Sequence, residues 1–269
     1  MTRTLLAFGD SHTSGAEIEK QYVYECFEKA YPAYIAKHYK MEYKNYSLGG
    51  GSNDLSFKRF NDVIKRVILN KESVFVLFNF TESSRTYINT PYVPESHRDF
   101  DKNYYGRLDY STRHLAKNYF SNNSECSFEK TLLKYLPIYK HYILSHTNKD
   151  FDEKSLNQMF IVQTICEKYN IPFIFHNSIT WYSGNWSLIN KKNHFGHHSN
   201  VKTNYYHKDD LLLMESLYSF WGVACNHPDW RHYVKIKRWE GHYPESYHKF
   251  WAQTLIHFID QQKILEGYI

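Results

Sequence analysis

Residues 4–15 read Thr4-Leu5-Leu6-Ala7-Phe8-Gly9-Asp10-Ser11-His12-Thr13-Ser14-Gly15. A short, mostly apolar run that breaks into glycine and small polar residues, and then enters a helix, is typical of the carboxyl edge of a parallel sheet. Ligands bind at that edge in open α/β proteins. The stretch therefore predicts a first strand that ends at residue 8, with a functional site beginning directly after it.

The rest of the chain alternates predicted strands with predicted helices. Strands are expected at 42–48, 74–78 and 171–175, and helices at 19–40, 54–69, 132–145, 156–169, near 209–221 and at 244–265, with Pro32 as an irregularity inside the first helix. Such alternation predicts an α/β fold: a three-layer α/β/α sandwich with a central parallel sheet. Residues 1–269 are expected to form a single domain with two long insertions, at about 86–130 and 177–238.

Composition excludes several classes of protein. The chain has 269 residues, 42% of them hydrophobic, with only 11 Gly and 7 Pro, which argues for a globular fold and against a low-complexity chain. No apolar run approaches the roughly 18 residues of a membrane helix. The run at residues 5–8 is too short for the apolar core of a signal peptide. We expect a soluble protein without a membrane partner, located in the cytoplasm or, for a virus-encoded chain, in the virus particle.

The net charge and the cysteines point to no particular partner. The net charge is +5, from 33 basic and 28 acidic residues that are scattered along the chain, so no nucleic-acid partner is expected. The four cysteines form no C-x-x-C pair, which predicts reduced, mostly buried thiols. Aromatic residues make up 18% of the chain. This excess fits either the codon bias of an AT-rich genome or a surface that stacks on carbohydrate, and both interpretations stay open.

Three groups of residues carry candidate chemistry. Ser11 follows the first strand, where it could present its hydroxyl as a nucleophile or, with Asp10, simply cap a helix. Residues 49–54, Gly-Gly-Gly-Ser-Asn-Asp, follow the second strand at the same edge, where a glycine N–H could join an oxyanion hole. Near the C-terminus, His242 precedes the last helix and Glu240 lies two residues before it, an arrangement that suits a general base and its orienting carboxylate.

Taken together, these blocks resemble the SGNH (GDSL-type) serine hydrolases. Residues 7–13 look like the family's first block, residues 45–50 like its second, and residues 242–252 like its fifth, and the segments around them look most like bacteriophage members. The resemblance implies a flavodoxin-like SGNH hydrolase fold and acyl transfer through a covalent ester on Ser11, with His242 as the base. It implies oxyanion donors at Ser11 N–H and Gly50 N–H, and no cofactor.

Two blocks depart from the family pattern. The third block normally supplies an asparagine to the oxyanion hole, but here Thr81 holds that place and Asn79 lies two residues earlier, so either could donate. The fifth block normally places an aspartate three residues before the histidine. Glu240 could serve from a shifted register, Asp229 is a second candidate, and a backbone carbonyl is a third. A rival alignment uses His248, with Glu245 three residues before it; we prefer His242 because it precedes the helix.

Other side chains are expected to line the site. The predicted substrate-binding residues are Asp10, His12, Asn53, Arg85 and Trp181. Each has a structural alternative: Asn53 could cap the next helix with Asp54, Arg85 could pair with Glu82 or Glu17, and Trp181 could cap the core. The cluster His194, His197 and His198 is not expected to bind a metal, because 16 histidines produce such clusters by chance.

The sequence therefore predicts a serine esterase that cleaves an O-acyl ester on a carbohydrate or another small molecule. An O-acetyl ester is the first candidate. Two alternatives remain. The altered third and fifth blocks would also fit a catalytically weak or inactive binding or structural module, such as one of a phage particle. An intracellular hydrolase acting on a nucleotide or host metabolite fits the same fold.

Overall fold

The central feature of the fold is a parallel sheet. The computed structural model describes residues 3–16, 18–19, 25–49, 51–81, 83, 86–89, 105–108, 146, 148–178, 182, 184–195, 220 and 242–268. The strands of this sheet are β1 (Thr4–Phe8), β2 (Glu42–Asn45), β3 (Val74–Phe80) and β6 (Phe173–Asn177), in the order β2-β1-β3-β6. A separate antiparallel pair is formed by β4 (Thr86–Asn89) and β5 (Tyr105–Leu108). The helices are α1 (Ser11–Ser14), α2 (Tyr31–His38), α3 (Asn53–Asn70), α4 (Asn148–Lys168) and α5 (Glu245–Gln261).

Side chains alternate between the two faces of the sheet, and each face has its own core. Leu5 and Ala7 of β1 pack on one face with α2 and α5, which supply residues such as Ile35 and Trp251. Leu6 and Phe8 pack on the other face with α3 and α4. The strands are buried on both faces, as expected for a parallel sheet covered by helices. The predicted three-layer α/β/α sandwich with a central parallel sheet is confirmed.

The strand register brings several chain segments to one edge. In the pairing of β1 with β3, Phe8 lies opposite Phe78, and in the pairing of β3 with β6, Phe78 lies opposite Phe175. Because all three strands run in the same direction, the residues that follow them emerge side by side. The polar segments that begin at Gly9, Thr81 and Ser178 therefore meet at the carboxyl edge of the sheet.

The predicted helix at 19–40 is wrong in its extent. Residues Phe27–Lys29 form a single 3₁₀ turn, and α2 begins only at Tyr31. Pro32 therefore lies in the first turn of α2, where a missing N–H costs no helical hydrogen bond, and it is not an interruption inside a longer helix.

Smaller differences concern element ends. Strand β2 stops at Asn45, three residues before the predicted end, while β3 continues to Phe80 and β6 begins at Phe173 and continues to Asn177. The hydroxyl of Ser52, and neither Asn53 nor Asp54, caps α3 by accepting from the backbone N–H of Leu55.

Parts of the predicted insertions are described. Within 86–130, the described residues form the antiparallel pair β4–β5. The described residues leave out most of 86–130 and most of 177–238. They also leave out the helices predicted at 132–145 and near 209–221. The division into a single domain therefore stays a prediction. No helix among the described residues is long and apolar enough to cross a membrane.

Candidate active site

Gly9 makes the sharp exit from β1 possible. Its φ of +157° is one that residues with a side chain rarely adopt. A Cβ atom at this position would lie 2.2 Å from Oγ1 of Thr13 and 2.9 Å from Cβ of Asn79. The glycine therefore lets the start of α1 pack directly against the end of β3.

Asp10 is buried at the start of α1 and uses both carboxylate oxygens. Oδ1 caps the helix by accepting from the backbone N–H of His12 at 3.0 Å, and it also accepts from the side-chain amide of Asn79 at 3.1 Å. Oδ2 accepts from the hydroxyl of Ser178 at 2.8 Å and lies 3.4 Å from Nδ1 of His12. The helix-cap alternative for Asp10 is therefore observed. Within the described structure its carboxylate is held by protein groups from three strands' ends.

Ser11 is the first residue of α1, at the place predicted for the nucleophile. Its side chain is largely covered, with 6% of the residue exposed. Its carbonyl oxygen accepts hydrogen bonds from the hydroxyl of Ser14 and the backbone N–H of Ala16, which fixes the backbone of the turn. No hydrogen bond to Ser11 Oγ is found among the described residues, so no hydrogen bond joins it to His242 in this structure.

Asn79, one of the two predicted oxyanion donors, is fully buried and directs its amide into the protein. Its Nδ2 lies within hydrogen-bond distance of three oxygens, at 3.1 Å from Asp10 Oδ1, 2.8 Å from Thr13 Oγ1 and 2.9 Å from Ser178 Oγ. Two amide hydrogens are already shared among three acceptors. In this geometry Asn79 ties the ends of β1, β3 and β6 together.

Thr81, the other predicted donor, is anchored through its backbone and not through its hydroxyl. The side chain of Asn53 accepts from the Thr81 N–H at 2.8 Å and donates to the Thr81 carbonyl at 3.2 Å. The residue is 2% exposed, yet Oγ1 has no hydrogen-bond partner within the described part of the chain. A buried hydroxyl without a partner costs free energy, and a ligand oxygen would relieve that cost.

Asn53, predicted to bind substrate, is committed to the same anchoring. Its amide nitrogen also lies 3.0 Å from Ser155 Oγ of α4 and 2.8 Å from the hydroxyl of Tyr182. The side chain therefore joins α3 to β3, to α4 and to the loop after β6. These internal contacts give Asn53 a structural role in the described site.

His242, the predicted general base, lies beside α1. Its ring centroid is 5.5 Å from that of His12, the residue after Ser11. The ring of Phe220 also contacts the His12 ring, with 4.8 Å between the two ring centroids. The contact brings an imidazole from the end of the chain to the carboxyl edge of the sheet.

His248, the histidine of the rival alignment, is buried within α5. Its Nδ1 accepts the backbone N–H of Tyr31 at 3.3 Å, and burial lowers its pKa to about 3, so the ring is neutral. The carboxylate of Glu245 accepts from the hydroxyl of Tyr34 and the ammonium group of Lys249 instead. Those hydrogen bonds, that from Lys249 first, lower the pKa of Glu245.

A row of buried polar groups leads away from the site, which sequence reasoning did not find. Thr13 Oγ1 lies 3.0 Å from the hydroxyl of Tyr31, which lies 2.8 Å from Nε2 of His176. Burial lowers the pKa of His176 to about 3, which keeps that imidazole neutral. The period of two along β6 could have found it, since His176 shares a face with Ile174.

Five of the residues predicted for the site lie outside the described residues. They are Gly50, Arg85, Trp181, Asp229 and Glu240. Of the histidine cluster, His194 is described: its Nε2 lies 3.2 Å from Asn177 Oδ1 and its ring packs on Trp186. Within the described ranges, no group of three or more potential ligands could hold a metal ion.

Neither a family model nor a curated protein sequence matches the chain. Among solved structures, one similar chain is an acetyl xylan esterase from the rumen bacterium Butyrivibrio proteoclasticus, with 12% sequence identity and a TM-score of 0.42. The match covers 97% of this chain and 64% of that chain, so the chain spans less than two thirds of the esterase's length. A similarity at this level does not bear on the chemistry of the site.

Proposed function

We propose that this chain is a serine esterase that cleaves O-acyl esters, with Ser11 as the nucleophile and His242 as the general base. The observation that carries the proposal is the ring contact between His242 and His12. It places an imidazole next to the residue that follows Ser11, at the edge of the sheet where ligands of open α/β folds bind. A hydroxyl and an imidazole that converge from distant parts of a chain are the parts of a nucleophilic acyl-transfer site.

In the proposed reaction, Ser11 Oγ attacks the ester carbonyl and His242 accepts its proton. The tetrahedral intermediate collapses to an acyl-enzyme while His242 returns the proton to the leaving alcohol. Water then attacks the acyl-enzyme by the same route, which releases the acid and restores Ser11. The missing hydrogen bond between Ser11 and His242 does not argue against this role, because catalytic hydrogen bonds often form only when substrate is bound.

Thr81 is the better supported side-chain donor for the oxyanion. Its hydroxyl is buried without a partner among the described residues, whereas the amide of Asn79 is shared among three protein oxygens. The backbone N–H groups of Ser11 and Gly50 complete the proposed oxyanion hole. Asn79 takes a supporting role, since it holds the carboxylate of Asp10 and the hydroxyl of Thr13 in place.

For the carboxylate that orients the His242 ring, we propose the candidates that the sequence offers, Glu240 first and Asp229 second. The substrate class is likewise an inference from the sequence. The described aromatic residues near β6 serve the core, because Tyr182 is buried and the indole N–H of Trp186 donates to its carbonyl at 2.9 Å. Stacking on a sugar ring would fall to Trp181, and Arg85 would meet an acidic group of the substrate. An O-acetylated carbohydrate is the proposed substrate.

Intact mass after treatment with a fluorophosphonate tests the proposal. We expect one adduct on the wild-type protein, no adduct on Ser11→Ala, and a slow adduct on His242→Gln. Hydrolysis of acetylated sugars, compared with phosphoesters, then tests the substrate class. Faster release of phosphate than of acetate would favour, over the esterase, the intracellular hydrolase of a nucleotide or host metabolite considered above.

A second candidate is a binding module that keeps the fold without efficient chemistry. The amide of Asn79 favours it, because three protein oxygens already engage that amide. Folded wild-type protein that forms no adduct at high fluorophosphonate concentration would support this candidate over the esterase.

A further inference from the structure

The contacts between Asp10 and His12 exceed what a helix cap needs. An N-cap side chain requires one oxygen that accepts a backbone N–H of the first turn, and Asp10 Oδ1 does this for His12 at 3.0 Å. The second oxygen, Oδ2, lies 3.4 Å from Nδ1 of the same residue's imidazole. One buried carboxylate therefore fixes both the backbone and the ring of His12.

Ser178 adds a second fixed contact to the same ring nitrogen. Its hydroxyl donates to Asp10 Oδ2 at 2.8 Å, and its Oγ lies 3.2 Å from Nδ1 of His12. Since the hydroxyl hydrogen is directed at the carboxylate, Oγ meets Nδ1 as an acceptor. Because the acceptor oxygens of Asp10 and Ser178 both face it, Nδ1 of His12 carries a proton.

The fixed ring of His12 in turn contacts His242. The two ring centroids are 5.5 Å apart, with an angle of 45° between the ring planes. His12 is 4% exposed and Asp10 and Ser178 are fully buried, whereas His242 is only partly buried. The ring of His12 is thus the rigid partner of the two, and it forms part of the surface against which the His242 ring rests.

We propose that His12 is a positioning residue that holds the imidazole of His242 at the reacting edge of the sheet, with Asp10 and Ser178 fixing the ring of His12. The proposal rests on the proposed function, in which His242 is the general base. A base displaced by about 1 Å can lower a rate by roughly 100-fold, so a fixed neighbouring ring has a direct effect on turnover.

His12→Asn is the sharpest variant. An asparagine amide can place a donor near the position of Nδ1, which satisfies Asp10 and Ser178, but it lacks the rest of the ring that contacts His242. We expect kcat for p-nitrophenyl acetate to fall about 10- to 100-fold while KM changes little. We expect the melting temperature to stay near the wild-type value, and fluorophosphonate labelling of Ser11 to slow by the same factor as kcat.

His38→Asn provides the matched control, since His38 is exposed in the last turn of α2. It should leave kcat, KM and the labelling rate unchanged. A His12→Asn variant that folds and turns over as fast as the control would overturn the positioning role while leaving the esterase proposal intact.

Nitrogen-15 spectra of the histidine rings give a readout that does not depend on activity. We expect a wild-type ring with its proton on Nδ1 whose signals vanish in His12→Asn, and we expect the His242 signals to shift in the same variant. Unchanged His242 signals would overturn the positioning role. A wild-type protein that forms no fluorophosphonate adduct would instead overturn the proposed function, and these spectra would still report whether His12 contacts His242.

Discussion

The hydroxyl of Tyr31 lies 2.8 Å from Nε2 of His176, and both residues are fully buried. The same hydroxyl lies 3.0 Å from Thr13 Oγ1. The amide of Asn79 donates to Thr13 Oγ1, so a row of contacts runs from Asn79 through Thr13 and Tyr31 to His176. This row connects the start of α1, the start of α2 and β6, so that polar contacts hold together segments that otherwise meet through apolar packing.

Tyr31→Phe should destabilise the protein without changing the shape of the core. The substitution leaves His176 Nε2 without a hydrogen-bond partner among the described residues, whereas Thr13 Oγ1 keeps the amide of Asn79. An unpaired buried group costs about 1–3 kcal/mol. Urea unfolding measures the loss. Tyr34→Phe is the control, because the Tyr34 hydroxyl is partly exposed and water can replace its hydrogen bond to Glu245; an equal loss in both variants would contradict the role of the buried row.

Thr81→Val should separate catalysis from stability. Valine keeps the shape of threonine and removes a hydroxyl that has no partner among the described residues, so the free energy of unfolding should stay the same or rise. Loss of an oxyanion donor should lower kcat about 100- to 1000-fold. Ester hydrolysis and thermal unfolding are measured together, with Thr81→Ser as the variant that keeps the hydroxyl and should keep most of the rate.

Stability should fall as the pH falls below neutrality. Burial lowers the pKa values of His176 and His248 to about 3, whereas in the unfolded chain both titrate near 6.5. Between these values the unfolded state binds more protons, so the free energy of unfolding decreases as the pH drops from about 6.5 towards 3, by up to about 1.4 kcal/mol per pH unit for each histidine.

Carboxylates also titrate in this range, so a variant is needed to isolate one histidine. His248→Asn offers the Tyr31 N–H an amide oxygen in place of Nδ1. Urea unfolding at several pH values should show a smaller slope for the variant than for the wild type. Parallel slopes would mean that His248 is not buried in its neutral form.

Asn53→Ala should be more damaging than an average surface substitution. The side chain accepts from the Thr81 N–H and donates towards the Thr81 carbonyl, Ser155 and Tyr182. Because several buried groups lose their partner at once, we expect a loss of about 3 kcal/mol in urea unfolding. Asn70→Ala, at the exposed end of α3, should cost little; comparable losses at the two positions would argue against the anchoring role of Asn53.

Much of the fold could be predicted because the signals are local. The apolar run that ends at Gly9 and the run at 74–78 each predict a strand, and continuous apolar runs are expected of strands that are buried on both faces. The start of α2 could not be read in the same way, because residues 19–40 have helical spacing throughout. Pro32 marks where α2 begins, because proline is favoured in the first turn of a helix.

The site was predictable where a residue follows a strand directly, and less so where side-chain direction decides its role. Alternation along β3 puts Asn79 on the face of Phe75 and Leu77, which directs its amide towards Thr13 of α1. Ser178 carries no distinguishing sequence pattern. Its role depends on the register of β6 against β3, a long-range relationship that the sequence does not express locally.

The helix α5 and the ring of His242 come from the last described segment, yet they complete a face of the sheet whose strands lie far earlier in the chain. Until α5 packs, Leu77 of β3 and Ile35 of α2 lack part of the apolar surface that covers them. During synthesis the early strands and Ser11 would leave the ribosome well before their partners. The order of the elements therefore delays assembly of the candidate active site until translation has reached α5, so the growing chain would carry its nucleophile without the proposed base.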